Sequence, residues 1–176
     1  MMETRNIPLI MGTAGAGILK WWIDASFAVH PNMRGHTGGG LSLGRGFPVL
    51  TSTKKKLNTK ISTEAEIVVV DECIPEVCWT RYFQEAQDYN VTEKIVHQDN
   101  QSAILIEKNG KASFSNRTNH INIQFFFVTD HINKKEVTVE WCPKNEITGF
   151  FITKPLQGNL FKKFSNRIMG VILTNK

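Results

Sequence analysis

Three acidic residues, Asp24, Glu66 and Asp99, have types and positions that could bind a hard metal ion. Asp24 lies inside the run ILKWWIDASFAV, whose β-branched and aromatic residues predict a strand over residues 18–29. Asp is depleted in strands because its short polar side chain packs poorly and competes for backbone hydrogen bonds. Taken alone, Asp24 is equally well interpreted as an exposed residue of an edge strand or as a functional residue.

Helical geometry selects the second acid. A helix is predicted from Ser62 to about Gln87, with Ser62 or Thr63 as its N-cap. Glu64 and Glu66 are two positions apart and therefore, at about 100° per residue, point to nearly opposite faces. Glu66 shares an apolar stripe with Val70, Cys73 and Val77, and this stripe must face the sheet. A carboxylate on that face is costly unless it meets a cation or hydrogen bonds, so Glu66 is the candidate ligand. Glu64 is expected to face solvent.

The third acid, Asp99, follows a strand predicted over residues 93–98 and begins a helix that runs to about Lys108. Asp is a favoured N-cap, so Asp99 either caps this helix or serves as a ligand. The three acids together could converge on one edge of the sheet. Oxygen ligands of this kind bind Mg²⁺, and a pair of such ions can activate a water and stabilise the leaving oxygen of a phosphodiester.

The elements predicted around the three acids form a sheet with helices packed on it, which would position the acids. After the first strand, GGLSLGRGFPVLTST (39–53) predicts two short strands, which makes the opening an antiparallel meander. Pro75 is expected to kink or break the long helix. Further helices are predicted over 99–108 and 117–133, then a strand over 136–142 and a helical tail. These elements indicate one α/β domain with a mixed sheet, in which ligands bind near strand ends.

The net charge of +5 fits either a polyanionic partner or a solvated, lysine-rich surface. No segment approaches the ~18 continuous apolar residues of a membrane span, so a soluble protein without membrane contact is expected. The three cysteines lack CxxC spacing and are interpreted as core residues in a reducing compartment. A basic connector, which is either a nucleic-acid contact or a solvated loop, contains Lys54, Lys55, Lys56 and Lys60.

Six blocks occur in order along the chain: IDASFAVHPNMRGHTGG, STEAE, QDNQSAILIEKNGKAS, NRTNHINI, VEWCP and TKPLQGNLFKKF. Together they resemble the ribonuclease H domain that closes the Pol polyprotein of copia-type LTR retrotransposons. The resemblance covers residues 18–171, with 1–17 as a lead-in and 172–176 as a tail. It implies a ribonuclease H-like fold with a mixed five-stranded sheet, and two-metal hydrolysis of the RNA strand of an RNA–DNA hybrid.

The same resemblance implies roles for single residues. Asp24, Glu66 and Asp99 match the family's first three catalytic acids and would hold Mg²⁺ or Mn²⁺. Arg117 and His120 match a block that would contact phosphate or the hybrid's minor groove, and a structural role on their predicted helix is equally open. The implied partners are the hybrid and the reverse transcriptase domain of the parent polyprotein. The implied location is the cytoplasm, in virus-like particles.

One position departs from the family pattern. GFFITKP (149–155) aligns without a gap with a Gly/Ala-Asp-Phe-hydrophobic-Thr-Lys-Pro motif, so Phe150 occupies the place of the fourth acidic ligand. Phe cannot bind a hard cation, which implies impaired catalysis unless Glu146, four residues earlier, substitutes. Two alternatives to an active nuclease stay open. One is an inactive domain that still binds nucleic acid, and the other is a structural remnant with an exposed apolar patch at Trp21, Phe125–Phe127 or Phe150–Phe151.

Overall fold

The computed structural model describes residues 7–13, 17–55, 59, 61–109 and 119–171, except for the side chains of residues 119–122. The strands are β1 Gly12–Thr13, β2 Ile18–Ser26, β3 His36–Ser42, β4 Gly44–Arg45, β5 Val49–Lys54, β6 Glu93–Gln98 and β7 Thr138–Trp141. The longest of these strands, β2, follows a run rich in β-branched and aromatic residues. The helices are α1 Ser62–Glu85, α2 Gln101–Asn109, α3 Asn119–Asn133, α4 Gly149–Thr153 and α5 Gly158–Ile168. The strand predicted over 93–98 coincides with β6, whereas the first predicted strand continues beyond the end of β2.

Five of the described strands form a mixed sheet in the order β5-β3-β2-β6-β7. The central strand β2 is antiparallel to β3 and parallel to β6. Because parallel strands end at the same edge of a sheet, the carboxyl ends of β2 and β6 lie together. This edge carries Asp24, near the end of β2, and Asp99, directly after β6. The predicted α/β class with a mixed five-stranded sheet is confirmed.

Apolar side chains on both faces of β2 hold the strand that carries Asp24. On one face, Trp21 and Ile23 belong to a buried cluster that includes Val70 and Ile74 of α1. On the other face, Trp22 belongs to a second cluster with Phe47, Ile147, Ile168 and the half-buried Phe150 and Phe151. Each fully buried side chain of this size contributes about 1.5–3 kcal/mol, so β2 is fixed from both sides.

Helix α1 differs from the prediction at two points. It continues through Pro75 instead of breaking there. Proline removes one backbone hydrogen bond, but Ile74 and Val77 beside it are buried, and this burial offsets the loss. The N-cap is Ile61, which makes no side-chain capping hydrogen bond, so neither Ser62 nor Thr63 caps the helix.

Cysteine burial agrees with the interpretation of these residues as part of the core. Cys73 and Cys142 are buried, Cys78 is half-buried, and all three are free thiols. Among the helices in the described ranges, none combines the length and the apolar character that a membrane span requires.

Candidate metal centre

Asp24 is 1% exposed, in the central strand of the sheet, so it is not an exposed residue of an edge strand. The Thr153 hydroxyl donates a hydrogen bond to Asp24 Oδ2, and Lys154 Nζ lies 3.2 Å from the same oxygen. Burial raises the pKa of Asp24, whereas the Thr153 hydrogen bond and the Lys154 charge lower it. The net shift is upward, so burial outweighs the two contacts.

Glu66 reaches the same place from the first turns of α1 and is 6% exposed. Its Oε2 has no hydrogen-bond partner among the described residues. Burial raises the pKa of Glu66 to about 8, the charges of Asp24 and Asp99 add to the shift, and Lys55 and a hydrogen bond with the Ala25 backbone oppose it. Burial and the neighbouring acids outweigh the charge of Lys55, and a bound cation would supply the further positive charge that stabilises the ionised form of Glu66.

Glu64 is also buried, with 4% of its surface exposed, so the expectation that it faces solvent is wrong. The reason is that residues 64–70 are all buried, which means that α1 is enclosed on every side near its start. Helical spacing separates the two glutamates correctly but does not reveal this enclosure. Glu64 is not a member of the acid cluster.

Asp99 supplies the third carboxylate, with a side chain that is 9% exposed. It does not cap α2, because Asn100 Oδ1 accepts the hydrogen bond from the Ala103 backbone N–H at 3.1 Å. Lys144 Nζ lies 3.8 Å from Asp99 Oδ2. The indole N–H of Trp141 donates to the Asp99 backbone carbonyl at 3.2 Å, which anchors this corner of the site. The Asp99 carboxylate is therefore free of a capping role.

One carboxylate oxygen from each of Asp24, Glu66 and Asp99 lies within 4.8 Å of the others. Oxygen ligands placed about 2.0–2.6 Å from one ion are at most about 4–5 Å apart, so this spacing fits a shared hard cation. The unpartnered Glu66 oxygen and the all-oxygen donor set point the same way. The cluster opens into a cleft of about 680 Å³. The fold brings together the three acids that the sequence predicts to converge.

Phe150 lies in the short helix α4, which is seated directly on the sheet. A Cβ at Gly149 would come within 2.6 Å of the Asp24 backbone nitrogen, and one at Gly38 within 2.8 Å of the Gly149 carbonyl oxygen. Gly38 of β3 therefore seats α4 on the sheet. The Phe150 ring lies 4.1 Å from Lys154 Nζ, a cation–π contact. No pattern in the sequence around Lys154 indicated this contact.

Glu146 does not reach the acid cluster as a substitute for an acid at position 150. It lies in a turn before α4, not one helical turn away within a helix. Its Oε1 is 2.7 Å from Lys163 Nζ, and its Oε2 is 3.5 Å from Arg167 Nη1. Glu146 is not a member of the acid cluster, so its carboxylate binds α5 instead.

The basic connector is only partly on the surface. Lys55 is 1% exposed and donates a hydrogen bond to the Ala65 carbonyl, so its interpretation as a nucleic-acid contact is wrong. Burial lowers the pKa of Lys55 to about 8, against the opposing effect of nearby acids. Lys54 is exposed, as a phosphate contact requires. The remaining predicted contacts, Lys56, Lys60, Arg117 and the side chain of His120, lie outside the described residues.

The expected exposed aromatic patch is confirmed only in part: Phe126 and Phe127 are exposed, whereas Trp21 and Phe125 are each 2% exposed and cannot contribute to a patch. Phe150 and Phe151 are half-buried. A further row of exposed aromatic residues lies on α1, where the Trp79 and Phe83 rings stack at 5.2 Å between centroids beside Tyr82. Their spacing of three and four residues on one helix was the signal in the sequence that could have identified this row.

No protein-family model matches the chain. Its sequence is 27% identical over 146 residues to the retrovirus-related Pol polyprotein from transposon TNT 1-94 of Nicotiana tabacum. That similarity covers 82% of this chain but 11% of the polyprotein, so the chain spans a small part of its relative's length. The chain is homologous to a segment of a retrovirus-related Pol polyprotein.

Solved structures identify the fold. A ribonuclease H1 isolated from compost has a TM-score of 0.53 at 10% identity and covers 74% of this chain and 87% of its own. The chain has a ribonuclease H fold. The N-terminal ribonuclease H domain of rv2228c from Mycobacterium tuberculosis agrees, with a TM-score of 0.52, 11% identity and coverage of 76% and 87%. In this ribonuclease H fold, the three acids converge beside the end of the central strand.

Proposed function

We propose that residues 18–171 form the ribonuclease H domain of a copia-type retrotransposon Pol polyprotein, which hydrolyses the RNA strand of an RNA–DNA hybrid. The observation that carries this proposal is the convergence of Asp24, Glu66 and Asp99 oxygens within 4.8 Å on a ribonuclease H fold. Homology to a transposon Pol polyprotein supports the choice of substrate and of parent protein.

The three acids come from elements that the sheet holds rigidly. Mg²⁺ or Mn²⁺ bound to Asp24, Glu66 and Asp99 would supply the Lewis-acid charge that activates a water and stabilises the leaving oxygen. β2 fixes Asp24, the start of α1 fixes Glu66, and the end of β6 fixes Asp99. Burial of Asp24 and Glu66 reduces screening by water and strengthens their electrostatic interactions.

Residues around the acids would hold the hybrid. The cleft is also lined by Phe27, Trp141, Lys144 and Lys154. Lys144 is exposed over 74% of its side chain and is placed to contact a phosphate. Trp141 is half-exposed, with its indole N–H anchored to Asp99, and could stack on a base. The proposed context is a polyprotein with a reverse transcriptase domain, in virus-like particles in the cytoplasm.

Catalysis is proposed to be impaired by Phe150. Its ring offers no oxygen to a cation. Lys154, which contacts the Phe150 ring, also neutralises part of the Asp24 charge. The same ion pair favours a second candidate function, a catalytically inactive domain that still binds nucleic acid through its cationic surface.

The test is cleavage of a labelled RNA–DNA hybrid in Mg²⁺ and in Mn²⁺ by the protein and by Phe150→Asp. We expect Phe150→Asp to raise the cleavage rate at least about tenfold, which corresponds to about 1.4 kcal/mol of barrier. Phe150→Asn is the matched control, because it has the same shape as the Asp variant without the charge, and it should not gain activity.

The ligand assignment is tested in the same assay. Asp99→Asn should abolish cleavage in both the original and the Phe150→Asp background. Absence of cleavage by every variant at any divalent concentration would reject the nuclease proposal. Hybrid binding that weakens steeply with salt would then support the binding function, and binding that is absent or insensitive to salt would reject it too.

A further inference from the structure

Lys154 is held beside the acid cluster by three contacts. Its Nζ lies 3.2 Å from Asp24 Oδ2 and 3.4 Å from Asp24 Oδ1, so that it faces both carboxylate oxygens. On its other side, Nζ lies 4.1 Å from the centre of the Phe150 ring. The backbone of Lys154 is extended at the end of α4, and Thr153 next to it is also hydrogen-bonded to Asp24. The ammonium is therefore tethered at the position that departs from the family's acidic pattern.

Lys144, a second lysine of the cleft, is not held in this way. Its Nζ lies 3.8 Å from Asp99 Oδ2, and its side chain is 74% exposed, against 37% for Lys154. An exposed lysine at that distance is screened by solvent and moves away at little cost. Lys154 instead pairs with a carboxylate whose side chain is 2% exposed, where the same charge interacts more strongly.

The negative charge of the acid cluster stabilises the Lys154 ammonium at this position. Asp24, Glu66 and Asp99 bring three carboxyl groups together, and two of them are buried. A fourth carboxylate would increase the repulsion and favour a second divalent cation. With Phe at that position, the negative charge is smaller, and Lys154 already compensates the Asp24 side of the cluster. The Glu66 side retains an unpartnered oxygen among the described residues.

We propose that the Lys154 ammonium takes the place of one divalent cation, so that the cluster binds a single cation, on the Glu66 and Asp99 side, rather than a pair. This inference rests on the proposed cation site and specifies its stoichiometry. Lys154 is then a positioning residue, which holds the Asp24 carboxylate in the absence of a second ion.

The experiment is calorimetric titration of the full chain with Mn²⁺, together with thermal unfolding in EDTA and in Mn²⁺. The original protein should bind one Mn²⁺. Lys154→Met, which keeps the length and contact with Phe150 but loses the charge, should bind Mn²⁺ about tenfold more tightly. Its unfolding temperature should fall in EDTA and recover in Mn²⁺. Lys144→Met is the matched control and should change Mn²⁺ affinity by less than about threefold.

Lys154→Gln provides a second neutral variant that can still donate a hydrogen bond to Asp24, and it should show the same gain in affinity. Two Mn²⁺ ions bound by the original protein would overturn the inference. So would an affinity gain at Lys154 no larger than that at Lys144. One Mn²⁺ bound without any effect of Lys154 overturns the inference but leaves the proposed metal site intact, whereas no Mn²⁺ bound by any variant overturns both.

Discussion

Two buried glutamates on neighbouring helices show how a structural acid differs from an acid at a site. Glu66 of α1 and Glu107 of α2 are 6% and 0% exposed. Burial raises the pKa of Glu66 to about 8 and that of Glu107 to about 7. Each has one carboxyl oxygen without a hydrogen-bond partner in the described part of the chain. By burial, pKa and unpartnered oxygens, the two residues are nearly equivalent.

Their neighbours separate them. Glu107 Oε2 accepts a hydrogen bond from the neutral Gln98 amide at 2.7 Å, and it is not a member of the acid cluster. Glu66 meets Asp24 and Asp99 and lines an open cleft. Glu107 in its protonated form needs no ion, whereas the charges of Asp24 and Asp99 raise the pKa of Glu66 and a bound cation would offset their repulsion. Convergence with other acids and access from solvent identify the site, and a raised pKa alone does not.

The largest difference between the two regions should be in cation binding. Glu66→Gln removes a ligand charge, so we expect Mn²⁺ affinity to fall at least about 100-fold, which corresponds to about 2.7 kcal/mol. Glu107→Gln makes the same substitution at the other buried acid and should alter Mn²⁺ affinity less than about twofold. Calorimetric titration of both variants measures this. Equal losses at the two positions would show that burial, not position in the cluster, controls binding.

A smaller difference should appear in the pH dependence of stability. The folded pKa of Glu107, about 7, exceeds its ordinary value of 4.5, so the folded protein binds more protons than the unfolded chain. The stability that this proton contributes is present in full below pH 4.5 and is lost as the pH rises to about 7, by at most about 3 kcal/mol.

Glu107→Gln mimics the protonated form and should remove this part of the pH dependence. Urea unfolding at several pH values between 4.5 and 8, with EDTA present, measures the difference from the original protein. If both proteins lose the same stability over this range, Glu107 does not titrate as its buried position indicates.

The sequence predicts the parts of the site that depend on local pattern. The apolar stripe of α1 selected Glu66 over Glu64, and β-branched runs located β2 and β6. Because β2 and β6 are parallel, their ends also bring Asp24 and Asp99 together. For these residues, periodicity and order along the chain carry the information.

Contacts between distant segments were not predictable in the same way. Lys154 meets Asp24 because α4 approaches the sheet closely where Gly149 of α4 and Gly38 of β3 have no side chains. Lys55 is buried because its ammonium reaches the Ala65 carbonyl of α1. Neither charged residue differs in local pattern from a solvated lysine, so only the assembled fold reveals its environment.

The most direct test of the metal site is anomalous diffraction from crystals of the protein soaked in Mn²⁺. We expect one peak within about 2.0–2.6 Å of oxygens from Glu66 and Asp99, near Asp24, and none at Glu107. Absence of a peak among the three acids, or a peak elsewhere in the molecule alone, would contradict the assignment of this cluster as the metal centre.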